Sequence, residues 1–390
     1  MMRNWKNVNA VKRKKLKRRI RKGIPDAVRG HVWMEFCGVR EKTEANPQVY
    51  ELKHMIYGQK DIMETIERDI ARTYPRHLFF ADPSMSTTNQ ENSSHAGVTV
   101  ASNEVSVATD AVANGSKRRL FCQADSNRIL PSKETDVMVG SVIDAFSCKI
   151  KYTPTEDEQS IAVQQPPLVR TSEEKSGALE ELLIEEALGQ TLLRRVLRAY
   201  ANYDEEVGYC QGMGFIAGMF LTYMPEEQAF WQLVGVMNEE PCNLRDLFSV
   251  GMAGAQQVLY VADKLTRKVL PKLAKHFDRE NVHISMFATQ WLVTIYTSNF
   301  PFDLVTRVWD CFLYEGWKVV YRVMLALLKD SSPKLLKMNF ESILSYFRTL
   351  PEQVDGLAIM TVAFEIPLKR TFIQQYEKEW KDESKHNGNS

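Results

Sequence analysis

The fold class this sequence predicts is helical, on three observations. Apolar residues recur at three- and four-residue spacing from Leu179 almost to the C-terminus. Prolines at 225, 241, 301, 333 and 351 cut that pattern into segments of helix length. No runs of alternating apolar and polar residues separate the segments, which argues against a doubly wound α/β fold. The 390 residues, 44% hydrophobic and 25% charged, suffice to bury a substantial core.

Taken in order, residues 1–22 form a basic lead. Residues 12–22 (KRKKLKRRIRK) hold nine Lys or Arg in eleven positions. Such a run suits a nuclear signal, an anionic lipid surface or a nucleic acid, and equally a solvated helix leading into the fold. No aromatic side chain is interleaved, which weakens the nucleic-acid reading. Residues 23–80 begin the folded domain. Pro25 suits a first helical turn, with Val28, Val32 and Trp33 on one face. A second helix is expected from Asp61 to Ala71, burying Ile62, Ile66 and Ile70 and pairing Glu64 with Arg68. Residues 81–176 are rich in Ser, Thr, Asn and Gln, with three aromatics and no Trp. That composition predicts a disordered or loosely ordered polar insertion. Residues 177–370 resume the helical pattern. Helices are expected near Phe230–Met237, Gly254–Phe277, Met286–Thr297, Leu304–Tyr314 and Lys318–Leu328. Residues 371–390 read as a helix end and a frayed tail.

Charge and composition narrow the function classes. Fifty Lys and Arg against 49 Asp and Glu leave a net charge of +1, unlike a nucleic-acid coat or an acidic tail protein. The six cysteines, at 37, 122, 148, 210, 242 and 311, form no CxxC pair. Such sparse cysteines suit a reducing compartment. The seven histidines show no HExxH spacing. The basic N-terminus lacks the apolar stretch of a secretory signal, and the stretch Gly214–Met224 is too short to span a bilayer. The expectation is a soluble cytoplasmic protein.

Two stretches carry candidate chemistry. In IERDIARTYP (Ile66–Pro75), Arg72 falls at the end of its helix, where a guanidinium projects past the backbone, and Asp69 stands one turn earlier to hold it. Cations are favourable at helix C-termini in any case, so spacing alone leaves Arg72 a structural reading. In EVGYCQGMGF (Glu206–Phe215), three glycines permit a tight path around Tyr209, Cys210 and Gln211 before an apolar helix. The Gln211 carboxamide both donates and accepts, and a glutamine tying down its own loop is the plainer alternative. Cys210 has apolar neighbours and no local base, which argues against a nucleophile. An arginine and a glutamine together suit phosphoryl transfer: one offsets developing negative charge, the other orients a water. The chain has no GxxxxGK[ST] phosphate loop, so a nucleotide would arrive on another protein.

These residues resemble the TBC-domain GTPase-activating proteins for Rab GTPases. RKGIPDAVRGHVW (Arg21–Trp33), IxxDxxR (Ile66, Asp69, Arg72), YxQGM (Tyr209, Gln211, Gly212, Met213) and PFDLVTRVWDCFLYEG (Pro301–Gly316) stand in the family's order. Within the family the chain most resembles the ecotropic-viral-integration-site type. The resemblance implies an all-α, two-lobed fold, with Arg72 as the arginine finger and Gln211 as the glutamine finger. It further implies that Asp69 steadies Arg72, that Tyr209 and Gly212 shape the glutamine loop, and that Arg29 and Trp33 are structural. It implies a GTP-bound Rab partner that holds GTP and Mg²⁺, no cofactor of the chain's own and no autonomous enzymatic activity. The implied role is vesicle trafficking, in the cytoplasm or peripherally on endomembranes, with residues 12–22 as an anionic-membrane contact. A non-catalytic Rab-binding scaffold is the alternative. One departure stands out: Arg72 and Gln211 are separated by 139 positions because of the insertion. A long exposed loop adds little closure entropy, so the two are still expected to converge.

Overall fold

The computed structural model describes residues 10–75, 77, 79, 80, 188–249 and 251–387. The 81–176 insertion, and the start of the helical pattern at 179–187, lie outside the described residues. The chain divides into two units, Met1–Tyr74 with Gly189–Ser390, and Pro75–Leu188. In the second unit, the rings of Phe79 and Phe80 meet edge-on at 4.9 Å. The helices below build the first.

All elements among the described residues are helical. Five precede the insertion: α1 (Ala10–Lys22), α2 (Asp26–Phe36), α3 (Val39–Ala45), α4 (Val49–Met55) and α5 (Lys60–Ile70). Then come α6 (Leu188–Tyr203), α7 (Met213–Leu221), α8 (Glu226–Asn238), α9 (Arg245–Phe248), α10 (Ala253–Val269), α11 (Pro271–Arg279) and α12 (Ser285–Val293). The chain ends with α13 (Phe302–Glu315), α14 (Trp317–Leu335), α15 (Phe340–Thr349), a 3₁₀ turn (Leu350–Gln353), α16 (Gly356–Glu365) and α17 (Arg370–Asn387).

Several expected boundaries shift for identifiable reasons. The helix expected across Gly254–Phe277 is two, because Pro271 starts α11 at its first turn. The one expected to reach Thr297 stops at Val293, where Ile295 and Tyr296 take left-handed backbone angles (φ 49° and 68°). Pro333, expected as a break, lies exposed in the last turn of α14, where its missing N–H costs one backbone bond, back to the carbonyl of exposed Lys329. The expected frayed tail is helical to Asn387. There α17 packs on α10, with Trp380 against Tyr260 (5.3 Å) and Lys268 over the Phe372 ring (4.1 Å).

A buried carboxylate fixes the N-terminal motif. Asp310 of α13 is fully buried and accepts from the Ile24 N–H (2.8 Å), Arg29 Nε (3.1 Å) and Trp33 Nε1 (2.9 Å). Arg29 also donates to the Ile24 carbonyl (2.6 Å) and the Tyr223 hydroxyl (3.2 Å). This polar hub decides which face of α2 turns inward: Arg29, Gly30 and Trp33 are buried, while Val28, expected inside, is 39% exposed. Around it, Trp33, Phe220 and Trp309 interlock, with Phe220 edge-on to Trp309 at 5.3 Å. The basic helix α1 packs along α13: Ile20 is buried, and Lys17 and Arg21 both reach Glu315.

Candidate functional site

Helix α5 brings Arg72 to the site. Met63, Ile66 and Ile70 form its buried stripe, and Asp69 is buried beside them. The expected Glu64–Arg68 ion pair is replaced by Arg68 Nε donating to the Glu64 backbone carbonyl (3.2 Å), while Glu64 Oε1 lies 3.8 Å from Lys60. Glu67 instead pairs with Arg194 (2.8 Å) and Arg198 (3.1 Å), fastening α5 to α6. Regular helix ends at Ile70, so Arg72 sits in the turn just beyond it. Tyr74, the residue before Pro75, takes a left-handed backbone angle (φ 51°). Its hydroxyl donates to the Phe215 carbonyl (2.9 Å) and its ring lies edge-on to Phe215 (5.7 Å) and Phe302 (5.9 Å).

Helix α7 brings Gln211. It is apolar nearly all round and almost wholly buried, as a central helix must be. Gly212 caps its N-terminus at φ 107°, a conformation disfavoured for any side chain, and a Cβ there would stand 3.3 Å from Thr294 Cγ2. Gln211 immediately precedes this cap and is exposed. Among the described residues its carboxamide makes no hydrogen bond, so it does not tie down its own loop. The loop is held from its other end. Asp204 accepts two hydrogen bonds from Arg245 (2.8 and 2.9 Å), one from the Tyr200 hydroxyl (3.1 Å) and one from the Val207 N–H (3.4 Å). Arg245 holds the Asp204 carboxyl below its usual range against the effect of burial, with the Val207 N–H and Tyr200 helping.

Asp69 joins the two pieces. One carboxylate oxygen accepts from Arg72 Nη2; the other accepts from the Tyr209 hydroxyl at 2.6 Å. The Asp69 side chain is 3% exposed, whereas that of Arg72 is 47% exposed, so the guanidinium is held from below and open above. Burial, then the neighbouring Asp69, pushes the Tyr209 hydroxyl well above its ordinary range, which keeps it a neutral donor. Thr73 Oγ1 donates to the Asp69 carbonyl (2.8 Å) and closes the turn.

The approach is close because α7 presents glycines. A Cβ on Gly214 would lie 3.1 Å from Thr73 Oγ1 and 3.2 Å from the Tyr209 hydroxyl; one on Gly218 would lie 3.1 Å from the Tyr74 ring. Sequence reasoning did not single out Thr73, Tyr74 and this glycine pair. The signal was available, since two glycines four apart on a buried helix leave a flat stripe for another backbone. It also missed the Asp204–Arg245 clamp, whose partners are 41 positions apart and carry no local pattern.

The structure thus brings together Arg72, Asp69 and Tyr209 by hydrogen bonds, with Gln211 two residues beyond Tyr209. Cys210 is half-buried, and its thiol is pushed up by burial and by Asp69, against the nearby Gln211 N–H. That is the reverse of an activated nucleophile. Among the described residues no group of three or more His, Cys, Asp or Glu is placed to hold a metal. A cavity of about 720 Å³ beside Arg13, Glu35 and Lys42 contains none of these residues, and the candidate chemistry lies on open surface.

The Rab-GTPase-TBC domain family matches residues 168–336, a span that takes in Gln211 and Gly212 but begins after Arg72. The human ecotropic viral integration site 5 protein homolog is 27% identical over 379 residues, 96% of this chain and 34% of the relative, a span that also reaches the Arg72 side of the insertion. Over these spans the chain is similar to the TBC-domain family. Rab GTPase-activating protein eat-17 of Caenorhabditis elegans is 36% identical over 195 residues, 49% of this chain and 22% of its own length. The chain therefore spans about a third or less of these curated relatives. Among solved structures, the Ypt/Rab-GAP domain of Gyp1p matches with a TM-score of 0.56 at 16% identity, covering 96% of both chains. The Chlamydomonas flagellar RabGAP TBC domain matches with a TM-score of 0.55 at 22% identity, covering 90% of this chain and 84% of that one. Both agree with the TBC fold described above.

Proposed function

We propose that this TBC-domain chain is a GTPase-activating protein for Rab-family small GTPases, acting in vesicle trafficking. One observation carries the reading: buried Asp69 bonds both Arg72 and Tyr209, linking the arginine turn of α5 to the loop that presents Gln211. The GTP-bound Rab holds the nucleotide and Mg²⁺. Arg72, anchored through one nitrogen, offers the rest of its guanidinium to the transferring γ-phosphate. Gln211, with its carboxamide free of the described residues, aligns the attacking water. Water adds to the γ-phosphorus as the bond to the β–γ bridging oxygen breaks, releasing phosphate and leaving GDP on the Rab. Gly212 and Tyr209 shape the loop. The chain needs no cofactor and hydrolyses nothing alone. It works in the cytoplasm and peripherally on endomembranes, where the exposed residues of the 12–22 run meet anionic lipid. Among the described residues no helix is long and apolar enough to cross a membrane.

The test is phosphate release from a panel of GTP-loaded Rab proteins, paired with GTP- and GDP-state pull-downs. Acceleration of one or a few Rabs supports the reading. GTP-dependent capture with no acceleration of any Rab points instead to a binding scaffold and overturns it.

A further inference from the structure

The loop that carries Gln211 runs from Asp204 to Gly212, and one short helix touches both of its ends. Arg245, the first residue of α9, holds Asp204 and also donates to Glu206 (2.7 Å). Phe248, the last residue of α9, is buried and reaches Gly212: a Cβ added there would stand 3.8 Å from Phe248 Cε1. The other neighbour of that position is Thr294 Cγ2, at 3.3 Å. Among the described residues, chain neighbours apart, no third atom comes within 4 Å of it. Helix α9 is itself braced. Gly254 of α10 lets the two backbones meet, since a Cβ on Gly254 would lie 2.5 Å from the Asp246 carbonyl oxygen.

An unusual turn puts Thr294 in place. Thr294 closes α12 and is buried. The next two residues, Ile295 and Tyr296, are fully buried and left-handed, at φ 49° and 68°. A β-branched or aromatic residue takes that conformation only where its surroundings over-determine it, and such strain gathers at functional sites. Three hydrogen bonds hold it here. Trp309 Nε1 donates to the Ile295 carbonyl (3.2 Å), the Tyr296 N–H to the Trp291 carbonyl (2.7 Å), and the Tyr296 hydroxyl to the Val320 carbonyl (2.9 Å). The two branches of Thr294 then act separately. Oγ1 donates to the Gln290 carbonyl (2.7 Å) and meets Ser298 Oγ (2.9 Å), both local, while Cγ2 faces Gly212.

We propose that Thr294 and Phe248 are positioning residues for the glutamine finger: they clamp Gly212 and so fix where Gln211 points. The Gln211 carboxamide makes no hydrogen bond among the described residues, so its aim depends on the backbone that carries it. The strained turn at Ile295 and Tyr296 is the means of bringing a methyl group against a glycine that has no side chain of its own to pack. The effect on rate rests on the GTPase reading; the effect on the loop rests on packing alone.

Two variants of nearly equal shape separate the contact from the hydroxyl. Thr294→Ser removes the methyl group that faces Gly212 and keeps the hydroxyl. Thr294→Val keeps a methyl group there and removes the hydroxyl. Neither partner is stranded by the loss, because the Gln290 carbonyl still accepts from the Thr294 N–H (3.1 Å) and Ser298 still meets Asn299 (2.5 Å). Phosphate release from the GTP-loaded Rab that responds best gives kcat and KM, and hydrogen exchange of the full chain reports on residues 204–213. Thr294→Ser should lower kcat about tenfold, short of the roughly 10²-fold of a full ångström of misplacement, with KM changed by less than about twofold. Exchange across 204–213 should quicken with it. Thr294→Val should keep kcat within about twofold and exchange unchanged, although it lowers Tm by losing a hydrogen bond. Phe248→Leu, which withdraws Cε1, should follow Thr294→Ser. Wild-type kcat and exchange in Thr294→Ser would overturn the clamp. So would an equal loss in Thr294→Val, which would make the effect one of general stability. If the wild type accelerates no Rab, the GTPase reading fails and exchange alone judges the clamp: quickening in Thr294→Ser but not in Thr294→Val supports it, and no change sinks it.

Discussion

At the scale of single residues, Asp69 is the side chain on which the site depends. Both its oxygens are committed, one to Arg72 and one to Tyr209, and it is buried. Tyr209→Phe strands one oxygen in the interior, which should cost about 1–3 kcal/mol of stability, read as a lower urea midpoint. Asp69→Asn keeps the size but loses the charge that orients Arg72. It should slow Rab GTP hydrolysis by roughly 10²-fold, the scale of a misplaced catalytic group, while GTP-state capture persists. A wild-type rate in Asp69→Asn would remove Asp69 from the account. Asp204 gives a pH prediction of definite sign. Its folded-state pKa is depressed, chiefly by Arg245, so its stabilising contribution is present above the unfolded carboxylate value, near 4. It is lost as pH falls through the lower folded value. Asp204→Asn should therefore flatten the acid limb of a Tm-against-pH curve, most clearly below about pH 4.

At the scale of elements, the α5–α7 approach is the feature that aligns the site. Gly218→Ala pushes a methyl group against the Tyr74 ring, and Gly214→Ala pushes one against Thr73 and Tyr209. Each should destabilise by about 1–3 kcal/mol despite the better helix propensity of alanine, and each should slow hydrolysis more than it weakens Rab capture. A Gly218→Ala variant more stable than wild type would contradict the packing described. The same elements show what the sequence made legible. The apolar spacing of Ile66 and Ile70 announces α5, although Met63 rather than the expected Ile62 completes its buried stripe, and the glycine-bracketed Gln211 announces a loop before a buried helix. Less legible were turns whose form depends on partners distant in sequence. Val28 looks like a core residue on spacing alone, but Asp310 draws Arg29 inward and turns Val28 out. The left-handed pair Ile295–Tyr296 has no local signal; its backbone is held by Trp309 Nε1 donating to the Ile295 carbonyl (3.2 Å) and by the Tyr296 N–H donating to the Trp291 carbonyl (2.7 Å).

At the scale of the whole chain, motifs far apart in sequence converge. Arg72 and Gln211 are separated by 139 positions, yet the Asp69–Tyr209 hydrogen bond spans the interval. The motif order was legible because each motif is short and its spacing is set by one local element. Their convergence was not, since it depends on Gly214, Gly218 and Asp69 meeting across that interval. Asp310 plays the corresponding part for the N-terminal motif and α13. Asp310→Ala strips the Ile24 N–H, Arg29 Nε and Trp33 Nε1 of their shared buried acceptor and leaves Arg29 with the half-exposed Asp26 as its carboxylate partner, so it should cost about 3–5 kcal/mol, read by denaturant unfolding. Deleting 81–176 tests whether the insertion gates access: an unchanged rate marks it as a passive loop, and a raised rate as a restraint.

The central claim is that Arg72 and Gln211 act together on a phosphate held by another protein. The most direct measurement is single-turnover phosphate release from the GTP-loaded Rab that responds best, with wild type, Arg72→Ala, Arg72→Lys and Gln211→Ala compared at saturating concentration. Loss of about 10³–10⁵-fold with Arg72→Ala, little rescue by lysine, and a comparable loss with Gln211→Ala, all with GTP-state binding retained, is the predicted result. Full stimulation by Arg72→Ala or Gln211→Ala would contradict it.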